Sequence, residues 1–119
     1  MRHAQLENEP GSAPWLTRFV VDKVTGSVVG RAGFHGPPDE RGMVAVGYAI
    51  DPTHRRQGHA RSSLEILLGV AASRPEVSVV RATVSADNQA SKALIQQYGF
   101  IKVSEHWDSE DGLEIIFER

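Results

Sequence analysis

A length of 119 residues, a formal charge of −2 and the absence of cysteine exclude several classes of protein. One domain is expected at this length, and 40% hydrophobic residues suffice for an ordinary core. Disulfides, thiolate metal sites and a cysteine nucleophile are excluded, and the mildly acidic balance argues against nucleic acid or an anionic membrane surface as a partner. With no run of 18 apolar residues and a polar N-terminus, the chain is expected to be cytoplasmic.

The pattern of apolar residues predicts the order β-β-β-α-β-α-β-β. Residues 1–14 are expected to be a loose arm because they carry Pro and Gly and few apolar groups, and residues 15–119 are expected to be a single domain. Alternation and β-branched content predict six strands, which span 15–24, 27–34, 43–51, 77–85, 101–107 and 113–117.

Helical spacing of apolar residues predicts the two helices. The first runs from Ala60 to about Arg74, ahead of Pro75, and the second begins after Asn88 and ends before Gly99. A strand, a helix and a strand in succession form a right-handed crossover, so strands 43–51 and 77–85 are expected to be parallel neighbours in a mixed α/β sheet.

The junction between the third strand and the first helix is the most informative stretch. It reads Arg55-Arg56-Gln57-Gly58-His59-Ala60-Arg61. Amide N–H groups at a helix start, together with the positive end of the helix dipole, form an anion site, and the arginines and histidines add positive charge. On a mildly acidic chain this favours a small anion such as a pyrophosphate. The alternative is an ordinary strand-to-helix turn with solvated arginines.

Two motifs in order resemble one known family. The spacing Arg55-x-x-Gly58-x-Ala60 resembles the acyl-CoA pyrophosphate loop of the GNAT superfamily of N-acetyltransferases. After one helix and one strand, Asn88-x-x-Ser91-x-x-Leu94-x-x-x-Tyr98-Gly99-Phe100 resembles the second signature of that superfamily. Phe34-His35-Gly36 and Gly47-Tyr48 are similar to its branch of ribosomal-protein N-terminal and small-amine acetyltransferases. The resemblance covers residues from about 17 to 119.

The resemblance implies a GNAT-like fold in which acetyl-CoA lies between splayed strands 43–51 and 77–85. Backbone groups near Tyr48 to Asp51 would pair with the pantetheine arm, and amides from Arg56 to Arg61 would hold the pyrophosphate. Asn88 would bond the pantetheine or act only as a helix cap. The residues expected to bind the cofactor are Tyr48, Ala49, Ile50, Asp51, Arg55, Arg56, Gln57, Gly58, His59, Ala60, Arg61, Asn88 and Ser91.

The chain departs from the family at both usual catalytic positions. Ile95 stands where many relatives place a tyrosine that protonates the leaving thiolate, and Ala45 stands where many carry a glutamate base. The candidate substitutes are Ser91, Tyr98 and His35. Each has an ordinary alternative: a small residue chosen for packing, a core aromatic and a solvated turn residue, respectively.

These features predict an N-acetyltransferase that moves the acetyl group of acetyl-CoA to a primary amine by direct attack in a ternary complex. The alternatives are a non-catalytic acyl-CoA-binding module or partner subunit, and a structural α/β domain with surface arginines. No metal site is expected, because the histidines show no ligand spacing with carboxylates. The short segment before Trp15 leaves one wall of the acceptor site and one sheet edge uncovered, which predicts a homodimer.

Overall fold

A computed structural model describes residues 4–6, 15, 17–51, 53, 55 and 58–119. In that part of the chain seven strands form one sheet in the order β1-β2-β3-β4-β5-β7-β6. Among these described strands, β4 and β5 are the one parallel pair of neighbours. The strands are β1 (Ala4–Leu6), β2 (Arg18–Asp22), β3 (Val28–Phe34), β4 (Met43–Ile50), β5 (Val79–Ser85), β6 (Ile101–Asp108) and β7 (Gly112–Glu118). The helices are α1 (His59–Ala72) and α2 (Gln89–Gln97). The predicted mixed α/β class is confirmed.

The first strand corrects the prediction of a loose arm over residues 1–14. Residues 4–6 pair antiparallel with β2, with Ala4 opposite Asp22 and Leu6 opposite Val20. Three residues are too few for an alternation to be recognised in the sequence, and the backbone of β2 provides the ladder that orders them. The sheet edge predicted to be open is therefore occupied by β1, while the other residues of the arm lie outside the described part of the chain.

The core lies on one face of the sheet, where alternate residues of the central strands are buried. Helix α1 contributes Leu64 and Leu67 to it, and α2 contributes Ile95, which is 0% exposed. Both helices thus belong to one continuous core that fixes them relative to the strands. Neither helix in the described residues is long and apolar enough to cross a lipid bilayer.

Strands β4 and β5 part halfway along β4. Their parallel pairing runs only from Met43 opposite Val79 to Val46 opposite Ala82. Beyond this point β4 stays paired with β3 as far as Ile50, and β5 stays paired with β7 as far as Ser85. The two strands therefore separate at their carboxyl ends, which confirms the predicted splay.

A close approach of β3 to β4 depends on Gly30. A Cβ atom added at this position would lie 2.1 Å from the carbonyl oxygen of Ala49 on β4. No side chain can be accommodated at that distance without moving the backbone. Gly30 therefore helps to set the position of the carboxyl end of β4, where the strands part.

Aspartate side chains hold three turns of the sheet, at Asp22, Asp39 and Asp108. The carboxylate of Asp39 accepts the backbone N–H groups of Met43 and Arg41 at 3.0 and 2.8 Å. These two bonds, the one from Met43 foremost, lower the pKa of Asp39 from its ordinary value of 3.8. The charged form of this carboxyl therefore stabilises the loop that leads into β4.

Candidate functional site

A cleft of about 670 Å³ opens where β4 and β5 part. Its walls are the carboxyl end of β4, the start of α1 and the first turns of α2. The lining residues are Tyr48, Ala49, Ile50, Arg55, Gly58, His59, Ala60, Arg61, Asn88, Ala90, Ser91 and Leu94. Ten of the predicted cofactor residues are thus brought together. Asp51 does not line the cleft, and Arg56 and Gln57 lie outside the described residues.

The backbone of β4 presents hydrogen-bonding groups to this cleft. The carbonyl of Ala45 accepts the N–H of His35, and the N–H of Asp51 donates to the carbonyl of Val29. In an antiparallel pair these groups alternate, so residues 45, 47, 49 and 51 point towards β3. The backbone groups of Tyr48 and Ile50 point to the other side, where β5 has moved away. Of the four residues predicted to meet the pantetheine arm through their backbone, Tyr48 and Ile50 have the required direction, and Ala49 and Asp51 do not.

The turn before α1 leaves the helix start open. Gly58 occupies the N-cap position in the left-handed conformation, with φ 84° and ψ 4°, and in the described residues no side chain caps this end. The first turn contains no acidic residue. A helix start of this kind, with a glycine in place of a capping side chain, suits an anion that accepts the N–H groups of the first turn.

His59 is not the mobile positive charge that the sequence predicts. Its side chain is buried, and its Nε2 lies 3.4 Å from Oδ2 of Asp22, at the end of β2. His59 is the first residue of α1 and falls on the side of the helix that faces the core. It therefore ties the start of α1 to the sheet, at a point where His59 also lines the cleft.

Arg55 and Arg61 are positioned around the helix start by partners of their own. Arg55 Nε donates to the carbonyl of Ile50 at 3.1 Å. Arg61 donates to the hydroxyl of Tyr98 at 3.1 Å and to the side-chain carbonyl of Gln97 at 2.6 Å, and its guanidinium lies over the Tyr98 ring. A guanidinium carries five N–H donors, so these bonds still leave donors for an anion on each arginine.

The start of α2 supplies the opposite wall. The side-chain oxygen of Asn88 accepts the backbone N–H of Ser91 at 3.1 Å, so Asn88 is a helix cap. The hydroxyl of Ser91 lies 2.8 Å from the phenol oxygen of Tyr48 on β4. Burial raises the pKa of the Tyr48 phenol above its ordinary value of 10.0. No local pattern could predict this side-chain pair, because 43 positions separate the two residues.

The candidate catalytic residues are distributed over three places. Ser91 lies in the cleft. The hydroxyl of Tyr98 lies in the contact between the helices, where it donates to Glu65 at 3.0 Å. His35 is exposed and lies beside Gly47, because a Cβ atom added to Gly47 would be 2.6 Å from Nε2 of His35. Because Gly47 and Tyr48 are consecutive in a strand, His35 and the Tyr48 side chain lie on opposite faces of the sheet.

Three possible metal ligands meet on the hairpin of β6 and β7. The pairing places His106 opposite Glu114, and with Asp108 their ligand atoms all lie within 4.8 Å of one another. Spacing along the sequence missed this group because the ligands come from two strands. The three residues are exposed or half-exposed, and nothing further in the described residues marks a cation site there. The absence of a metal stays a prediction.

The comparisons with known proteins identify the family. The model of the GNAT acetyltransferase domain matches residues 1–101. This chain belongs to the GNAT acetyltransferase family. It is 38% identical over 96 residues to the uncharacterized N-acetyltransferase YjdG of Bacillus subtilis, an alignment that covers 81% of this chain and 57% of YjdG.

Solved structures show the same fold. The ribosomal-protein-S5-alanine acetyltransferase of Vibrio fischeri matches with a TM-score of 0.76 and 17% identity over 87% of this chain and 60% of that one. The microcin C7 self-immunity acetyltransferase MccE, in complex with acetyl-CoA and AMP, matches with a TM-score of 0.75 and 16% identity over 87% and 59%. The chain thus spans about six-tenths of the length of these GNAT proteins.

Proposed function

We propose that this GNAT chain binds acetyl-CoA in the cleft and transfers its acetyl group to a primary amine by direct attack in a ternary complex. The observation that carries the proposal is the parting of β4 and β5 beside an α1 start that no described side chain caps. A cleft of about 670 Å³ has room for the pantetheine arm and the pyrophosphate. The MccE structure, which has the same fold, contains acetyl-CoA.

The pyrophosphate binds at the start of α1. The N–H groups of the first turn and the positive end of the helix dipole stabilise its charge, and Arg55 and Arg61 approach it from the sides. The pantetheine arm lies along β4 and bonds the outward backbone groups of Tyr48 and Ile50, as an added strand would. This arrangement brings the thioester to the point where β4 and β5 separate, after Val46.

The chemistry depends mainly on alignment. Holding the amine against the thioester carbonyl is worth up to about 7–11 kcal/mol, and a backbone N–H of β4 polarises the carbonyl as an oxyanion hole does. His35 is the proposed base, because it lies beside Gly47 on the face opposite Tyr48. The amine therefore attacks from the His35 face. The C–N bond forms, the C–S bond breaks with its electron pair going to the sulfur of CoA, and the amine proton passes to His35, which releases it to solvent.

The experiment has two measurements. Isothermal titration calorimetry with acetyl-CoA and CoA tests binding, and release of the CoA thiol with a panel of amines tests transfer. The panel contains peptides with free N-termini, lysine peptides, amino acids, polyamines and an aminoglycoside. Absence of acetyl-CoA binding refutes the proposal. Thiol release with at least one amine, matched by an acetylated product in mass spectrometry, supports it.

The second candidate is a non-catalytic acyl-CoA-binding module or partner subunit. The side chain of Ile95 is fully buried and has no acidic proton, and Ala45 has no carboxylate. The two usual catalytic groups of the family, a tyrosine acid and a glutamate base, are therefore missing at these positions. This candidate predicts acetyl-CoA binding without transfer to any amine of the panel. The predicted homodimer and the cytoplasmic location stay predictions, which sedimentation and fractionation test.

A further inference from the structure

The outer edge of β6 carries no further strand in the described residues. β6 is the last strand in the order of the sheet, and seven of its eight residues are exposed. Its sequence contains no proline, and β1 at the other edge is only three residues long. A long exposed edge without proline is a ready template for another strand. β6 is therefore the edge at which the sheet can be extended.

Apolar side chains are concentrated along this edge. Of the seven large apolar side chains that are exposed in the described residues, four belong to β6 and its neighbour β7: Ile101, Val103, Trp107 and Leu113. Trp107 is 72% exposed and lies opposite Leu113. Clustered apolar groups mark interaction sites, whereas scattered ones are ordinary. The edge therefore offers apolar surface to bury as well as backbone groups to pair.

The hydrogen bonds of β7 determine which residues of β6 face outward. Val80 and Arg119 exchange both backbone hydrogen bonds, so the odd-numbered residues of β7 point to β5 and the even-numbered ones to β6. Ser104 and His106 lie opposite even-numbered residues, and their backbone groups therefore point inward. The backbone groups of residues 103, 105 and 107 point outward, with residue 103 next to the irregularity of the ladder. These are the groups that an added strand would bond.

We propose that two copies of this chain pair antiparallel through β6, about a two-fold axis that passes Glu105. A two-fold interface brings the same strand of both copies together, and outward residues must lie opposite outward residues. With Glu105 opposite its counterpart, Val103 lies opposite Trp107 of the second copy. Ser104 then lies opposite His106. The three outward pairs exchange about six backbone hydrogen bonds, which join the two sheets into one.

Side-chain complementarity selects this register. An axis at Ser104 would place Val103 opposite Glu105. An axis at His106 would place Trp107 opposite Glu105, so an apolar side chain would face a carboxylate in both cases. The axis at Glu105 instead forms two pairs of a tryptophan with a valine, and its cost is one pair of carboxylates, each already ion-paired within its own chain. Because favourable cross-strand pairs and like-charge pairs have similar magnitudes, the two apolar pairs outweigh the one repulsive pair.

The interface is small, so the dimer is expected to be reversible. Strand pairing over residues 102–108 buries less surface than a standard stable interface, and we expect a dissociation constant of about 10 µM. Sedimentation velocity at concentrations about tenfold below and about tenfold above this value follows the change from monomer to dimer. Hydrogen exchange gives a second readout. The N–H groups of Glu105 and Trp107 should become protected in the dimer, whereas those of Ser104 and His106, which face β7, should not change.

Single cysteines report the register, because the chain contains no cysteine of its own. Glu105→Cys places two thiols opposite each other with their α-carbons about 5.5 Å apart, which a disulfide can span. Ser104→Cys and His106→Cys leave the two α-carbons about 8 Å apart, which a disulfide cannot span. Mild oxidation should therefore link the two chains of Glu105→Cys alone. Thr83→Cys, exposed on β5 inside the sheet, is the control for random oxidation.

Side-chain variants test the contacts. Trp107→Glu should raise the dissociation constant by about 30-fold, because it removes two apolar pairs and adds charge at the interface. Phe19→Glu, which places the same charge on another exposed aromatic position, should leave it unchanged. Glu105→Gln should tighten the dimer by about 3-fold, because it removes the like charges at the axis. Circular dichroism confirms that each variant is folded.

Four results would overturn the proposal. A chain that stays monomeric throughout the concentration range has no such interface. A dimer that Trp107→Glu does not weaken is formed by another surface. A disulfide that links Ser104→Cys or His106→Cys in place of Glu105→Cys contradicts the register, and a Glu105→Gln dimer that is no tighter contradicts the position of the axis. None of these measurements involves acetyl-CoA, so their outcome is independent of the proposed function.

Discussion

Gly58 allows the proposed pyrophosphate site to be tested with a matched pair of substitutions. Aspartate and asparagine have nearly the same shape, and both tolerate the left-handed conformation that Gly58 adopts at φ 84°. Gly58→Asp and Gly58→Asn therefore strain the turn equally. They differ by one negative charge placed at the start of α1, beside the N–H groups of its first turn.

The magnitude follows from Coulomb's law. A carboxylate about 5 Å from a phosphate charge, at an effective dielectric constant of about 20, is repelled by about 3 kcal/mol. This corresponds to a loss of about 100-fold in affinity, before any effect of the added bulk. We expect Gly58→Asn to weaken binding of acetyl-CoA modestly and Gly58→Asp to weaken it by about 100-fold more at low salt.

Calorimetry at low and at high salt provides the measurement, with S-acetylpantetheine as the second ligand because it lacks the pyrophosphate. The difference between the two variants should shrink as salt screens the charge, and it should vanish for S-acetylpantetheine. Equal affinities of the two variants for acetyl-CoA would show that the diphosphate does not bind at the start of α1, and the proposed orientation of the cofactor would be wrong.

Three further predictions concern stability. Gly30→Ala should destabilise the fold by about 1–3 kcal/mol, because the added Cβ would meet the carbonyl of Ala49. Gly69→Ala is the control: its Cβ would lie in open space on α1, and the variant should be more stable by about 0.5–1 kcal/mol. Urea unfolding measures both changes. Because the pKa of Asp39 is lowered in the folded state, this carboxylate stabilises the fold at pH values above its unfolded pKa of 3.8, and the stabilisation is lost as the pH falls through the folded pKa. Asp39→Asn should therefore flatten the acid side of a plot of the free energy of unfolding against pH. An unchanged acid side would contradict this. Ile95→Tyr should overpack the core, lower the free energy of unfolding by about 1–3 kcal/mol and leave kcat no higher. Thermal unfolding and the transfer assay check these two expectations.

The elements of this fold could be predicted because their signals are local. Apolar residues at helical spacing and Pro75 predicted α1, which ends at Ala72, and β-branched residues predicted β5. The order of a strand, a helix and a strand was enough to predict the parallel pair and, with the family resemblance, its splay. The strand at residues 4–6 was missed because its stability comes from pairing with β2, which is a tertiary contact that a three-residue pattern does not contain.

The site was predicted well where backbone geometry matters and poorly where side chains from distant segments meet. Gly58 and Asn88 take the turn and cap positions that their sequence context indicates. By contrast, the direction of the His59 ring depends on Asp22, and that of the Tyr98 hydroxyl depends on Glu65. Nothing in the residues next to His59 or Tyr98 reveals these partners, because the fold alone brings them together.

The position of Ile95 shows what the departure from the family's usual tyrosine means for the packing of α2. Ile95 is fully buried, so a tyrosine there would need room and a hydrogen-bond partner inside the core. With Ile95, α2 is anchored to the core by an apolar side chain, and Asn88 and Ser91 at the start of the helix line the cleft. At this end of α2 the hydroxyl of Ser91 lies 2.8 Å from the phenol oxygen of Tyr48, which reaches it from β4. Core packing and the shape of the proposed acetyl-CoA cleft are therefore coupled through one helix, because the buried side of α2 sets where its first turn lies.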